Sequence, residues 1–229
     1  MGRPLFDPER VPHDPAFADP VARGAAVPSR RLLAASVRQT FAEPPAWQPE
    51  NKSDARRLDP SAPIRPAAVL IPLVDRGSEL RVLLTERTAH LHDHAGQISF
   101  PGGRVDDGDR DPVHTALRET HEEIGLAAAH IDVIGTLPEY LTATSYRVTP
   151  VVALVSPPFN LALDTFEVAE AFEVPLPFLM DPANHERRLI DFDGVRRTFY
   201  AMPWQARRRY FIWGATAAML RNLYHLLRA

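Results

Sequence analysis

The sequence predicts an α/β (α+β) fold, a mixed sheet with helices packed on it. Short strand-like apolar runs recur between residues 67 and 200, punctuated by Gly and Pro. One well-delimited helix lies in the middle of these runs, and an apolar-patterned helix closes the chain. No internal repeat is visible.

Residues 1–30 are rich in proline, at Pro4, Pro8, Pro12, Pro15, Pro20 and Pro28, which blocks helix and sheet hydrogen bonding. They read as an irregular arm. From Arg31 to Ala42 apolar residues recur at helical spacing, and Pro44-Pro45 stops the run. Residues 31–66 are therefore a short helix and a proline-rich linker, and residues 67–229 the domain proper. There, AAVLIPLV from Ala67 has a buried-strand pattern, Asp75-Arg76-Gly77 marks a turn, and LRVLLTER is the hairpin partner. ISF is a short strand ended by Pro101-Gly102-Gly103. Asp111 caps a helix with Pro112 in its first turn, and Gly125 supplies a left-handed stop. IDVIGTLP and VTPVVALV read as strands, AEAFEVPL is ambiguous, and ERRLIDFDGVRRTFYAM is a hairpin turning at Asp193-Gly194. A helix is expected from about Arg208 to Arg228, with Phe211, Ile212, Ala215, Met219, Leu220 and Leu223 on its apolar face.

Composition narrows the function. A net charge of -3 gives no general affinity for nucleic acid, which needs clustered cations. The absence of cysteine excludes disulfides, thiolate zinc sites and a thiol nucleophile. No apolar stretch is long enough to span a membrane, and the first residues lack the apolar run of a secretory signal. A cytoplasmic enzyme, monomeric or homodimeric, acting on a small molecule is expected.

The informative residues are Arg118, Glu119, Glu122, Glu123 and Gly125. Positions i, i+3 and i+4 of a helix share one face, so the three glutamates project together. Crowded carboxylates raise one another's pKa, and a divalent cation relieves that repulsion. All-oxygen ligands suit Mg²⁺ or Mn²⁺. A solvated acidic face is the alternative on spacing alone. The loop Phe100-Pro101-Gly102-Gly103-Arg104 stands one short step upstream, and its glycines let the backbone approach a ligand closely.

Together these residues resemble the Nudix box: Gly, five residues, Glu, seven residues, then Arg-Glu-U-x-Glu-Glu-x-Gly-U, with U apolar. Gly103 opens the box and Arg118-Glu119-Thr120-His121-Glu122-Glu123-Ile124-Gly125-Leu126 closes it. Asp109 occupies the first Glu position, separated from Arg118 by eight residues instead of seven, and Thr120 stands where an apolar residue is usual. The resemblance implies a Nudix fold, a mixed sheet between helices, and hydrolysis of a nucleoside diphosphate derivative. It also implies Glu119, Glu122 and Glu123 as metal ligands, with the Gly103 carbonyl completing the shell. Arg118 joins the catalytic set by holding a glutamate in its rotamer through a charge-assisted pair.

A second block, Leu83-Leu84-Thr85-Glu86-Arg87 with Leu91, His94 and Gly96-Gln97, is similar to the signature of the coenzyme A pyrophosphatase branch. That branch carries the same additional residue in its box. Segments Tyr146–Val152, Glu167-Val168 with Phe172–Leu176, and Phe211–Ala217 are also similar to it, so the resemblance covers about residues 65–228. It implies coenzyme A or a derivative as substrate, with 3',5'-ADP and 4'-phosphopantetheine as products. Arg87 is the first choice for a phosphate contact, with His94 and the Gly102-Gly103 backbone beside it. The alternating histidines His90, His92 and His94 invite a zinc reading, but the stretch lacks a strand pattern and a nearby Cys. His92 also stands where the branch usually has Arg. Glu167, in a loop after VTPVVALV, is a candidate general base or additional ligand; a helix glutamate such as Glu122 is the other candidate. The run Arg207-Arg208-Arg209 reads as a solvated face. Two rivals remain open at this stage: hydrolysis of ADP-ribose or another dinucleotide, and a Nudix-fold binding module without catalysis.

Overall fold

A computed structural model describes residues 7–18, 24–54, 59–89, 96–192 and 194–229. After a helix α1 (Ala34–Ala42) come strands β1 (Arg65–Asp75), β2 (Leu80–Arg87), β3 (Ile98–Ser99) and β4 (Gly102–Arg104). Helix α2 (Pro112–Ile124) leads to β5 (Ile131–Thr136), β6 (Tyr140–Leu141), β7 (Tyr146–Val155) and β8 (Val168–Pro175). A single turn α3 (Leu176–Leu179) precedes β9 (Glu186–Phe192), β10 (Val195–Gln205), β11 (Arg209–Trp213) and the closing helix α4 (Gly214–Arg228).

β1 organises the main sheet. It pairs in parallel with β7 on one side, and antiparallel with β4 and then β2 on the other. β5 and β6 extend the sheet from β7, and β3 and β8 from β2. The sheet is mixed, and the hydrophobic alternation of β1 separates its two faces. Ala68, Leu70 and Val74 look toward α2, while Ala67, Ile71 and Leu73 join the core shared with α4. Along β2 the same alternation sends Leu83 to the α2 face and Val82 and Leu84 to the other. β9, β10 and β11 form a second antiparallel sheet beside α4.

Two expectations need correction. The closing helix begins at Gly214 rather than about Arg208, because Arg209–Trp213 pairs with Ala201–Gln205 as β11. Tyr210, Phe211, Ile212 and Trp213 are aromatic or β-branched, and cross-strand packing outweighs their helical spacing. The Gly102-Gly103 segment is a short strand on β1 and not only a loop. The ambiguous AEAFEVPL resolves into β8 followed by α3.

The proline-rich arm forms 3₁₀ turns at Pro8–Arg10 and Pro15–Phe17, each with an Asp cap and a proline in its first turn. It lies along β9. Asp14 N–H donates to the Arg187 carbonyl at 2.7 Å, and Leu189 N–H to that of Pro12 at 2.9 Å. Val11 and Phe17 are buried, Phe17 edge-on to Tyr200. Among the described residues no helix is long and apolar enough to cross a membrane.

Candidate active site

Helix α2 starts where its sequence says it should. The Asp111 carboxylate accepts the His114 N–H at 2.8 Å, and Pro112 fills the first turn. Gly125 ends it at φ 68°, where an added Cβ would meet Ala162 at 2.8 Å. Thr115, Ala116, Thr120 and Ile124 face the sheet. Thr120 tolerates its buried position because its hydroxyl donates back to the Ala116 carbonyl at 2.6 Å. The three glutamates run along one flank of this buried side, from Glu123, which is buried with it, to Glu122, which is exposed.

Each glutamate has a different setting. Glu123 turns inward, is 5% exposed, and accepts the Gly102 N–H at 3.2 Å. Arg87 approaches it at 3.7 Å, directed to the α2 face by the alternation of β2. The Glu123 carboxyl is pushed up to about 8, first by burial and with help from Glu119 and Glu167, against the pull of Gly102 and Arg87. Glu119 is also raised, first by burial and then by the nearby Glu122 and Glu167 charges, against the pull of Arg118. Glu122 is the most exposed of the three and accepts from Arg118 Nη1 at 2.8 Å.

Arg118 is the hub. Its Nε and Nη2 donate to the two Asp109 oxygens at 3.0 and 2.8 Å, a bidentate pair. It also reaches the Arg104 carbonyl at 3.1 Å and Glu119 at 3.1 Å. Asp109 is therefore committed elsewhere than to a metal. It accepts from Thr115 Oγ1 at 2.9 Å and the Asp106 N–H at 2.9 Å, lies beside His114 at 2.8 Å, and has a carboxyl held well below the usual range, first by Arg118.

The two glycines serve close approaches. A Cβ at Gly102, φ 150°, would lie 2.4 Å from the Ala68 carbonyl oxygen and 2.5 Å from Val69 Cα. A Cβ at Gly103 would lie 2.4 Å from the Glu119 carboxyl carbon. The β4 backbone and Glu119 thus touch, and the cluster has a floor of main chain.

Glu167 is half-buried at the end of the β7–β8 connection and electrostatically felt by both Glu119 and Glu123. It is less free to swing than its loop position implies. Thr88 N–H donates to the Glu167 carbonyl at 2.9 Å, and Glu167 N–H to that of Asp164 at 3.0 Å. The connection itself is tied to α2, with Ala162 N–H on the Ile124 carbonyl and Asp164 N–H on that of Glu123, each at 2.9 Å.

Arg87, Gly102, Gly103, Arg118, Glu119, Glu122, Glu123 and Glu167 thus gather around one end of α2. His94, with His90 and His92, lies outside the described residues. Among the described residues, as their side chains stand, no three acidic or histidine groups are close enough to hold an ion jointly. Arg118 draws Glu119 and Glu122 while Glu123 faces Gly102. The donor set still fits a hard divalent cation: it is all oxygen, and two of its carboxyls are kept from easy ionisation by burial and by their neighbours.

The model of the NUDIX domain family matches residues 63–205. The chain belongs to the Nudix family. The Nudix hydrolase NudL of Escherichia coli K12 is 42% identical over 160 residues, 69% of this chain and 81% of the relative. Among solved structures, a Nudix hydrolase from M. smegmatis, RenU, aligns with TM-score 0.43 and 27% identity over 50% of this chain and 73% of its own. A C. elegans Ap4A hydrolase binary complex aligns with TM-score 0.41 and 23% identity over 48% of this chain and 80% of its own. In this Nudix hydrolase the box residues that sequence reasoning singled out form one cluster. What it missed is Asp109's part as the partner of Arg118. Its place nine residues before Arg118, just ahead of the helix cap, was the available signal.

Proposed function

We propose that this Nudix hydrolase cleaves the diphosphate bond of coenzyme A or a close derivative, releasing 3',5'-ADP and 4'-phosphopantetheine or its acyl form. The observation that carries the reading is Arg87 on the α2 face of β2, 3.7 Å from Glu123 and beside the Gly102 N–H. A cation there, next to the glutamates and a main-chain donor, suits a substrate with two phosphates: one at the carboxylates, one at the guanidinium.

Glu119, Glu122 and Glu123 would hold Mg²⁺ or Mn²⁺, with the Gly103 carbonyl as a further oxygen. Such an ion, when bound, neutralises phosphate oxygens and lowers the pKa of a coordinated water. The chain's own residues do the rest. Arg118, fixed by Asp109, orients Glu119 and Glu122. Arg87 binds and orients the diphosphate. Glu167, held by Thr88 and Asp164, accepts the proton of the attacking water, with Glu122 as the other candidate for that role. His94 is proposed as a further phosphate donor.

Incubation with coenzyme A and Mg²⁺ or Mn²⁺ in heavy-oxygen water, followed by mass spectrometry, tests the reading. Labelled 3',5'-ADP or labelled 4'-phosphopantetheine is the expected product, and the label identifies the phosphorus attacked. Intact coenzyme A alongside cleaved ADP-ribose would replace the substrate by that of the dinucleotide enzymes. No turnover of any nucleoside diphosphate derivative would end the catalytic reading.

A further inference from the structure

Glu86 and Glu170 are direct cross-strand partners in the β2–β8 ladder. Like charges in that relation destabilise a sheet. They point away from α2, opposite in direction to Arg87, the next residue on β2. Both are reached by Arg208 from the tight connection between β10 and β11, Glu170 at 2.8 Å. Arg207 also pairs with Glu170, and the Tyr210 hydroxyl donates to it at 2.9 Å. The Arg208 guanidinium lies 4.2 Å over the Tyr210 ring, which stacks on Phe172 of β8 at 4.0 Å. The arginine run is thus an ion-pair network and not a free solvated face.

The position of this clamp matters. The ladder is regular up to Glu86–Glu170 and then shifts, so that Arg87 pairs with Val168 and Ala169 is left over. Such a bulge bends the strand that carries the additional residue, here β8, and re-aims the β8 residues beyond it. Beyond it lie Arg87, which reaches Glu123, and Glu167, whose carbonyl is bound by Thr88. We propose that Arg208 is a positioning residue for hydrolysis: by bridging Glu86 and Glu170 it sets the bulge that aims Glu167 at the acidic cluster and holds β8 in register beside Arg87. The inference rests on the roles given to Arg87 and Glu167 above.

The full chain carrying Arg208→Gln, Arg208→Lys or Arg208→Gln with Glu170→Gln tests it, beside Arg87→Ala and Glu167→Gln. Each is assayed on the nucleoside diphosphate derivative that the unaltered enzyme hydrolyses fastest. Arg208→Gln is expected to lower kcat/KM about tenfold through both KM and kcat. Mn²⁺ affinity, read by electron paramagnetic resonance, should stay unchanged, since the α2 glutamates are not held by Arg208. The lysine variant and the double variant should recover most of the loss, because one restores the cation and the other removes the repulsion. An Arg208→Gln enzyme as active as the parent, or a double variant no better than the single one, would overturn the proposal. So would a joint loss of activity, Mn²⁺ binding and melting temperature. If Arg87→Ala and Glu167→Gln are both fully active, the roles assigned to those residues fall, and this inference with them. If those two are impaired and Arg208→Gln is not, only the inference falls.

Discussion

Glu122 is the exposed corner of the acidic cluster and packs little, so its carboxylate can be removed without opening a cavity. Glu122→Gln is expected to keep the melting temperature and lower turnover about a hundredfold or more, roughly 3 kcal/mol of transition-state stabilisation. Steady-state rates at saturating Mn²⁺ beside a thermal melt check this, and an unchanged rate would remove the metal role. The glycines make a contrasting pair. Gly102→Ala would drive a Cβ into fixed main chain of β1, so unfolding or poor expression is expected. Gly103→Ala first meets the end of the flexible Glu119 side chain. Its product should fold and lose activity, which circular dichroism and an assay separate. Much of this was legible in the sequence, because spacing along a helix dictates which carboxylates share a face. The partner of Arg118 was not, because an aspartate nine residues upstream is placed by the turn before the helix.

At the scale of elements, α4 is joined to the linker by a buried polar network. Glu50 accepts from Tyr200 Oη and Arg221 Nε at 2.7 Å each and lies 3.2 Å from His225. His185 donates from Nε2 to the Leu179 carbonyl at 2.8 Å, and its Nδ1 accepts from Arg221 at 3.1 Å. Burial, with Arg221 alongside, lowers the His185 pKa from 6.5 to about 4 despite the Leu179 bond. The unfolded chain then binds a proton that the folded chain refuses, so stability falls as pH drops from 6.5 to about 4. The shift corresponds to about 3 kcal/mol. Glu50 acts in the same sense: burial raises its carboxyl, but hydrogen bonds from His225, Arg221 and Tyr200 win and hold it well below the usual range. Chemical denaturation at pH 7 and pH 4.5 should show the loss, and His185→Gln should flatten the profile. Glu50 loses its contribution only below 4.5, so an equally steep profile between pH 7 and pH 4.5 in that variant would overturn the role given to His185. None of this network was visible beforehand, since its members are scattered from residue 50 to residue 225. The β11–α4 boundary was misread for a related reason. Arg209–Trp213 carries apolar residues that satisfy both periods, and only pairing with β10 decides between them.

For the molecule as a whole, the arm is irregular in conformation yet integral to packing. It buries Val11 and Phe17 and bonds to the β9 main chain. The Arg187 guanidinium pairs with Asp14 at 2.7 Å and lies 5.1 Å over the Phe17 ring. Deleting residues 1–18 should therefore cost roughly 2–5 kcal/mol of stability, from two buried apolar side chains. Comparing urea midpoints of the full and shortened chains measures it, and matching midpoints would show the arm to be dispensable. Proline content foretold the lack of helix and strand here, but carries no information on docking. That depends on a sheet edge more than 160 residues away in sequence, at Arg187. A different consequence follows from the two hydrogen bonds that Ala162 and Asp164 make with the final carbonyls of α2. The loop caps carbonyls that the helix itself leaves unpaired. Slow deuterium uptake at Ala162 and Asp164 is therefore the expected mark of a loop that stays docked on the helix end and keeps Glu167 beside its carboxylates.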